Sequence, residues 1–235
     1  MPIKAILFDL GNTLVGYYTS AEFPAVLRRC LRRCSEEQGW STDAGRQEEL
    51  FERALQLNQE RADLAVRPLA ERLRNLFDPQ GTLDDHALAR LSAAFMEPIF
   101  DRAQLSPQAP IVLDRLRRRG IKTAIVSNTP WGSSAAVWRA ELARHGLLEI
   151  VDAVVLCVDV GWRKPHRAPF DRALALLGVA PADALFVGDD PRWDVAGARN
   201  AGVRPVLLGS LASSPDLETI QSLDELLQLV DRSHS

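Results

Sequence analysis

The sequence predicts an α/β fold: a parallel sheet with helices on both faces, plus an inserted α-helical domain. Three observations carry this reading. The run Ile3 to Phe8 is apolar at every position but Lys4, as in a strand covered on both faces, and ends on Asp9. From Val15 to about Ala103 the apolar residues recur at helical spacing. From Ser106 onward short apolar strands alternate with helical segments, the rhythm of a parallel sheet built from crossovers.

Each element follows in order. The first strand ends at Asp9, and small residues Gly11, Asn12 and Thr13 turn the chain. Phe23, Val26, Leu27, Cys30, Leu31 and Cys34 form one helical stripe, stopped by Gly39, with Thr19 and Glu22 as its expected capping box. A second helix is expected from about Thr42 to Ala65 with Leu50, Phe51, Ala54 and Leu55 inward. Leu69, Leu73, Leu76 and Phe77 mark a third, stopped at Asp78-Pro79-Gln80-Gly81. Leu88, Leu91 and Phe95 mark a fourth, interrupted at Pro98. Ser106 and Pro107 read as the start of a helix reaching Arg119-Gly120. Strands follow at Ile121 to Ser127, Ala153 to Val158, Ala184 to Asp189 and Pro205 to Leu208. Between and after them come helices from Ser133 to His145, from Arg167 to Gly178 and from Asp194 to Ala201. Gly209 to Pro215 reads as a surface loop, and Ser222 with Glu225 as the capping box of a terminal helix.

Composition narrows the function. The 235 residues are 46% hydrophobic, enough for a full core, and the net charge of -3 gives no footprint for nucleic acid or an anionic membrane. No apolar run approaches the ~20 residues of a membrane span, the first strand begins without a signal-peptide pattern, and three cysteines suit a reducing compartment. A cytoplasmic protein is expected. Cys30 and Cys34 share a helix stripe with apolar residues and lack a nearby third ligand, so they read as core. Lysine occurs only at positions 4, 122 and 164, which gives Lys164 weight.

Four strand ends carry polar residues in the order Asp9, then Ser127-Asn128-Thr129, then Lys164-Pro165, then Gly188-Asp189-Asp190 with Asp194. In open parallel sheets ligands sit beyond the carboxyl ends of the strands, where these residues would meet. Four clustered acids without a cation would repel one another and protonate, which argues for a metal. This ordered set resembles the haloacid dehalogenase superfamily, whose members are mostly Mg²⁺-dependent phosphatases with a Rossmann-like core. The resemblance implies a core of 1–15 and 104–235, and a helical cap of 16–103 that closes over the site and chooses the substrate.

By that resemblance Asp9 is the nucleophile that forms an aspartyl phosphate, with Ser127 and Lys164 also catalytic. Mg²⁺ would be held by Asp9, the Gly11 carbonyl, Asp189 and Asp194; Asp190 would share that role or face solvent. Gly11, Asn12, Ser127, Asn128 and Lys164 would contact substrate, a small phosphorylated metabolite. Monomer and homodimer are both open. The chain departs from the pattern at Gly11, where the family usually carries a second Asp as general acid and base. The leading reading is a phosphatase lacking the usual acid; the alternatives are a weak or inactive relative that binds a phosphorylated ligand, and a 2-haloacid dehalogenase, against which the Asp189, Asp190 and Asp194 cluster counts. Trp131, Trp162 and Trp193 are expected at one edge of the sheet, packing against the cap or stacking on substrate; Tyr17 and Tyr18 sit at the hinge, and tyrosine is a poor acid at neutral pH.

Overall fold

The computed structural model describes residues 3–57, 63–78, 80–209 and 217–233. Its main sheet has six parallel strands in the order β5-β4-β1-β6-β7-β8. These are β1 Ala5–Phe8, β4 Lys122–Ser127, β5 Ala153–Leu156, β6 Ala184–Gly188, β7 Arg204–Leu208 and β8 Glu218–Ile220. The chain builds outward from β1 to β4 and β5 on one side, then returns to lay β6, β7 and β8 on the other. That reversal puts a crevice at the carboxyl end of β1, flanked by the ends of β4 and β6.

Strand β1 is wholly buried because it is covered twice. Ala5 and Leu7 pack with Phe170, Ala173 and Leu174 of one helical layer, whereas Ile6 and Phe8 enter a larger core shared with the helical insert. Alternate residues of a strand face opposite sides, so a run apolar at every position satisfies both layers.

The insert leaves through β2 Val15–Gly16 and returns through β3 Gln104–Leu105, which pair antiparallel as a short stalk. Between them lie α1 Phe23–Glu37, α2 Ala44–Gln56, α3 Leu69–Phe77 and α4 Asp85–Phe100. The Cys30 and Cys34 thiols are free and buried in the α1 stripe, as expected of core residues. A second tie joins insert and core: Ala65 bridges to Trp162, with Val66 N–H donating to Gly161 O at 3.0 Å and Arg163 N–H to Leu64 O at 2.9 Å. The remaining helices are α5 Ala109–Arg118, α6 Ala135–Arg144, α7 Cys157–Val160, α8 Ala168–Leu177, α9 Ala196–Asn200 and α10 Glu225–Ser233. Among the described residues no helix is long and apolar enough to cross a membrane.

Several local expectations are corrected. Helix α2 ends at Gln56, and Ala65 is extended against Trp162; the stretch 58–62 of the expected helix lies outside the described residues. Leu55 is 41% exposed, because α2 buries only Leu50, Phe51 and Ala54. Pro98 does not interrupt α4. Proline removes only the bond its own nitrogen would give to the Ala94 carbonyl, and Asp101 N–H still donates to Glu97 O at 2.9 Å. The Thr19 and Glu22 pair does form, with Thr19 N–H to Glu22 Oε2 at 2.8 Å and Glu22 N–H to Thr19 Oγ1 at 3.3 Å, but in the turn that precedes α1. Helix α5 starts at Ala109, after a turn closed by Ala109 N–H to Ser106 O. Strand β5 stops at Leu156 because the Asp159 carboxylate accepts from Leu156 N–H and turns the chain into α7. Glu225 accepts from Gln221 N–H, so the Ser222 box does not form, and β8 was not anticipated. Most of the expected loop at Gly209 to Pro215 lies outside the described residues.

Candidate active site

Strand β1 delivers Asp9 at its end, where Asp9 N–H continues the ladder onto Val187 O at 2.8 Å. The chain then folds back at once: Leu14 and Val15 both donate to Leu10 O at 2.9 Å, and Asn12 takes a left-handed φ of 56°. Asn tolerates that region better than most residues. Its side chain is spent on the stalk, donating to Tyr18 O at 3.2 Å and accepting from Tyr17 N–H at 3.4 Å. Gly11 stands beside the crevice in an ordinary backbone conformation, and a Cβ there would meet only Tyr17 Cδ2, at 3.9 Å.

The end of β6 supplies Asp189, and a π-helical turn over Pro191–Val195 brings Asp194 back under it. Asp194 N–H donates to Asp190 O at 2.9 Å, while Asp190 N–H donates to Asp194 Oδ2 at 3.1 Å. Asp194 lies so close to the strand that a Cβ on Gly188 would sit 2.3 Å from Asp194 Oδ2. Only glycine leaves that space. Asp190 itself is drawn outward by Arg192, 2.6 Å away. Burial acts to raise the Asp190 carboxyl, and the Arg192 contacts outweigh it, holding the group below the usual carboxylate range.

Lys164, on the loop after α7, closes the cluster from the other side. Its ammonium donates to Asp9 Oδ1 at 2.5 Å and to Asp194 Oδ1 at 2.7 Å, and the residue is 1% exposed. Burial would lower its pKa, but Asp194 and Asp9 outweigh that and hold it above the usual lysine range. It is therefore a fixed cation.

Asp9, Asp189 and Asp194 bring carboxylate oxygens within 4.8 Å of one another. Burial pushes the Asp9 carboxyl up to about 7 against the pull of Lys164, with Asp194 and Asp189 adding to the rise. Asp189 is pushed up to about 6 by burial and by Asp194. One ammonium does not neutralise three carboxylates, and a set of hard oxygen donors left in this state fits a divalent cation. Asp190, paired with Arg192, stands outside that set.

Ser127 is buried at the end of β4 with its hydroxyl donating only to Asn128 O, at 3.2 Å. The Asn128 carboxamide turns to the Lys164 peptide. All these residues line one cavity of about 340 Å³.

The far wall of the cavity was not legible in advance. It includes Phe23 and Ile99 from the insert, Trp138 from α6, and Arg163. Arg163 adjoins Lys164 in sequence, a signal that could have found it; Trp138 is placed by the rotation of α6, which no motif encodes. Trp131 packs on Phe95 of the insert, ring centroids 5.3 Å apart, which is the expected cap packing. Trp193 lines the cavity, but Trp162 does not join it: that ring is 39% exposed and stacks on His166 at 4.5 Å. Tyr17 lines the cavity, yet burial and then the Glu141 charge hold its hydroxyl far above the usual tyrosine range; burial pushes Tyr18 up to about 12.

The chain is 32% identical over 208 residues to a phosphoserine phosphatase of Thermus thermophilus, covering 86% of this chain and 80% of the relative. It is 31% identical over 202 residues to a glyceraldehyde 3-phosphate phosphatase of Methanopyrus kandleri, covering 86% and 82%. A crystal structure of a HAD phosphatase from Thermococcus onnurineus superposes with a TM-score of 0.68 at 25% identity, over 97% of this chain and 98% of that one. The family model for haloacid dehalogenase-like hydrolases matches residues 3–202. With strands β1 to β6, the stalk and the acidic cluster all inside that span, the chain belongs to the haloacid dehalogenase-like hydrolases.

Proposed function

We propose that the protein is a Mg²⁺-dependent phosphatase that hydrolyses a small phosphorylated metabolite through an aspartyl phosphate on Asp9. The observation that carries this is Lys164 held between Asp9 and Asp194, with Asp189 completing an acidic cluster in a cavity roofed by the insert. Relatives that act on glyceraldehyde 3-phosphate and phosphoserine support the reaction class. On this reading residues 1–15 and 104–235 form the core and 16–103 the cap.

Asp9, Asp189, Asp194 and the Gly11 carbonyl would hold the Mg²⁺. When bound it offsets the repulsion between the Asp9 carboxylate and a phosphate dianion. An Asp9 oxygen attacks phosphorus, and the bond from phosphorus to the leaving-group oxygen breaks. Water then attacks the aspartyl phosphate, releasing inorganic phosphate and restoring the carboxylate. Lys164 keeps Asp9 in place and supplies positive charge to the phosphoryl oxygens; Ser127 and the peptide N–H groups of Gly11 and Asn128 surround them, whereas the Asn12 N–H is held by Val15 O at 2.7 Å. No protein carboxyl stands at Gly11 to protonate the leaving group, and Tyr17, with its raised pKa, does not replace it. Substrates whose leaving groups depart without strong acid assistance are favoured. Attack on carbon, as in a dehalogenase, needs no divalent cation, so the Asp9, Asp189 and Asp194 cluster counts against that reading.

The test is phosphate release by wild type and Asp9→Asn, with Mg²⁺ and with chelator, over acyl, aryl and alkyl phosphates. Release that needs Mg²⁺ and vanishes in Asp9→Asn is expected. A folded, Mg²⁺-binding protein that releases phosphate from none of them would overturn the phosphatase and leave a ligand-binding relative.

A further inference from the structure

Lys164 stands on a loop, so no sheet ladder or helix satisfies its peptide groups, yet buried backbone groups are almost always paired. One side chain meets both. Lys164 N–H donates to Asn128 Oδ1 at 2.8 Å, and Asn128 Nδ2 donates to Lys164 O at 3.2 Å. A carboxamide has one carbonyl and one amino group, and both are turned onto this single residue. The neighbouring peptides are also held, by Arg163 N–H to Leu64 O at 2.9 Å and by Asn200 Nδ2 to Pro165 O at 3.0 Å.

We propose that Asn128 is a positioning residue, which sets where the Lys164 ammonium stands between Asp9 and Asp194 by holding Lys164's own peptide. This rests on the reading of Lys164 as the catalytic cation, and replaces direct substrate contact by the Asn128 side chain. A lysine side chain is long and flexible, so its reach is decided where its backbone is anchored. The Nζ contacts of 2.5 and 2.7 Å leave little slack. A misplacement of about 1 Å can cost ~10²-fold in rate.

The test combines amide exchange with a double-mutant cycle. In Asn128→Ala the Lys164 N–H loses its acceptor, and its protection should fall about tenfold or more, as for loss of a hydrogen bond worth about 1.5 kcal/mol. Asn128→Asp keeps an acceptor oxygen and should retain most of that protection. On an aryl phosphate, Asn128→Ala should lower kcat about 10- to 100-fold. In a Lys164→Met background the same change should cost less than about twofold, because Asn128 acts through the lysine. Unchanged Lys164 protection, or a loss that adds in full to that of Lys164→Met, would overturn the proposal. A rise in KM at constant kcat would overturn it too and return Asn128 to the substrate. If the wild type releases no phosphate, the function fails, and amide exchange still decides the clamp.

Discussion

Replacing Gly11 by aspartate should restore the acid that this chain lacks. The backbone there has no left-handed φ, and an added Cβ meets only Tyr17 Cδ2 at ordinary contact distance, 3.9 Å, so the substitution is sterically open. The new carboxyl would stand two residues from Asp9, within a cluster whose acids are already raised by burial and mutual repulsion. The same surroundings would hold it partly protonated near neutral pH, as a general acid requires. General acid catalysis contributes roughly 10² to 10⁴ in rate, about 3 to 5 kcal/mol. The gain depends on the leaving group, since an acyl or nitrophenyl phosphate departs with little proton transfer and an alkyl phosphate does not. The assay is kcat for Gly11→Asp and wild type on an alkyl and an aryl phosphate, at saturating Mg²⁺ so that any change in metal affinity drops out. The alkyl to aryl ratio should rise about 10²-fold or more. An equal gain on both esters, or none on either in a folded protein, would refute the argument that Gly11 marks the missing acid.

Further expectations follow from the same cluster. Asp9 and Asp189 ionise later in the folded chain than in an unfolded one, so between about pH 4 and 7 the folded state binds more protons and these groups make stability fall as pH rises. In chelator, Asp9→Asn should therefore melt higher than wild type at pH 7.5 and show no advantage at pH 4.5; an advantage that grows toward acid would contradict the assignment. Mg²⁺ affinity, measured by calorimetry, should strengthen with pH up to about 7 as bound protons cease to compete. Lys164→Met leaves Asp9 and Asp194 without their shared cation, and breaking such a buried pair typically costs about 3 to 5 kcal/mol; its melting temperature should drop more in chelator than with Mg²⁺. Gly188→Ala drives a methyl into Asp194, costing about 1 to 3 kcal/mol in stability by overpacking, and should weaken Mg²⁺ binding in whatever fraction folds.

The chain's own sequence determined the α/β class, the strands that end on polar residues and the helical insert. These are local properties: a run apolar on both faces, a helical period, an acid at a strand end. Local rules also misplaced some details. Pro98 lies so near the end of α4 that one lost bond does not stop it, and Leu55 belongs to a helix whose buried stripe is narrower than its run of apolar residues. The resemblance named Asp9, Ser127, Lys164, Asp189 and Asp194, and the structure gathers them because β1 lies between β4 and β6, an order that follows from how crossovers pack and not from any single segment. Tertiary structure alone decided the rest. It turned the Asn128 carboxamide onto Lys164, faced Trp138 into the cavity and left Trp162 outside. Each depends on where a side chain points once elements distant in sequence have packed, and a direction in space has no period or spacing by which a sequence could announce it.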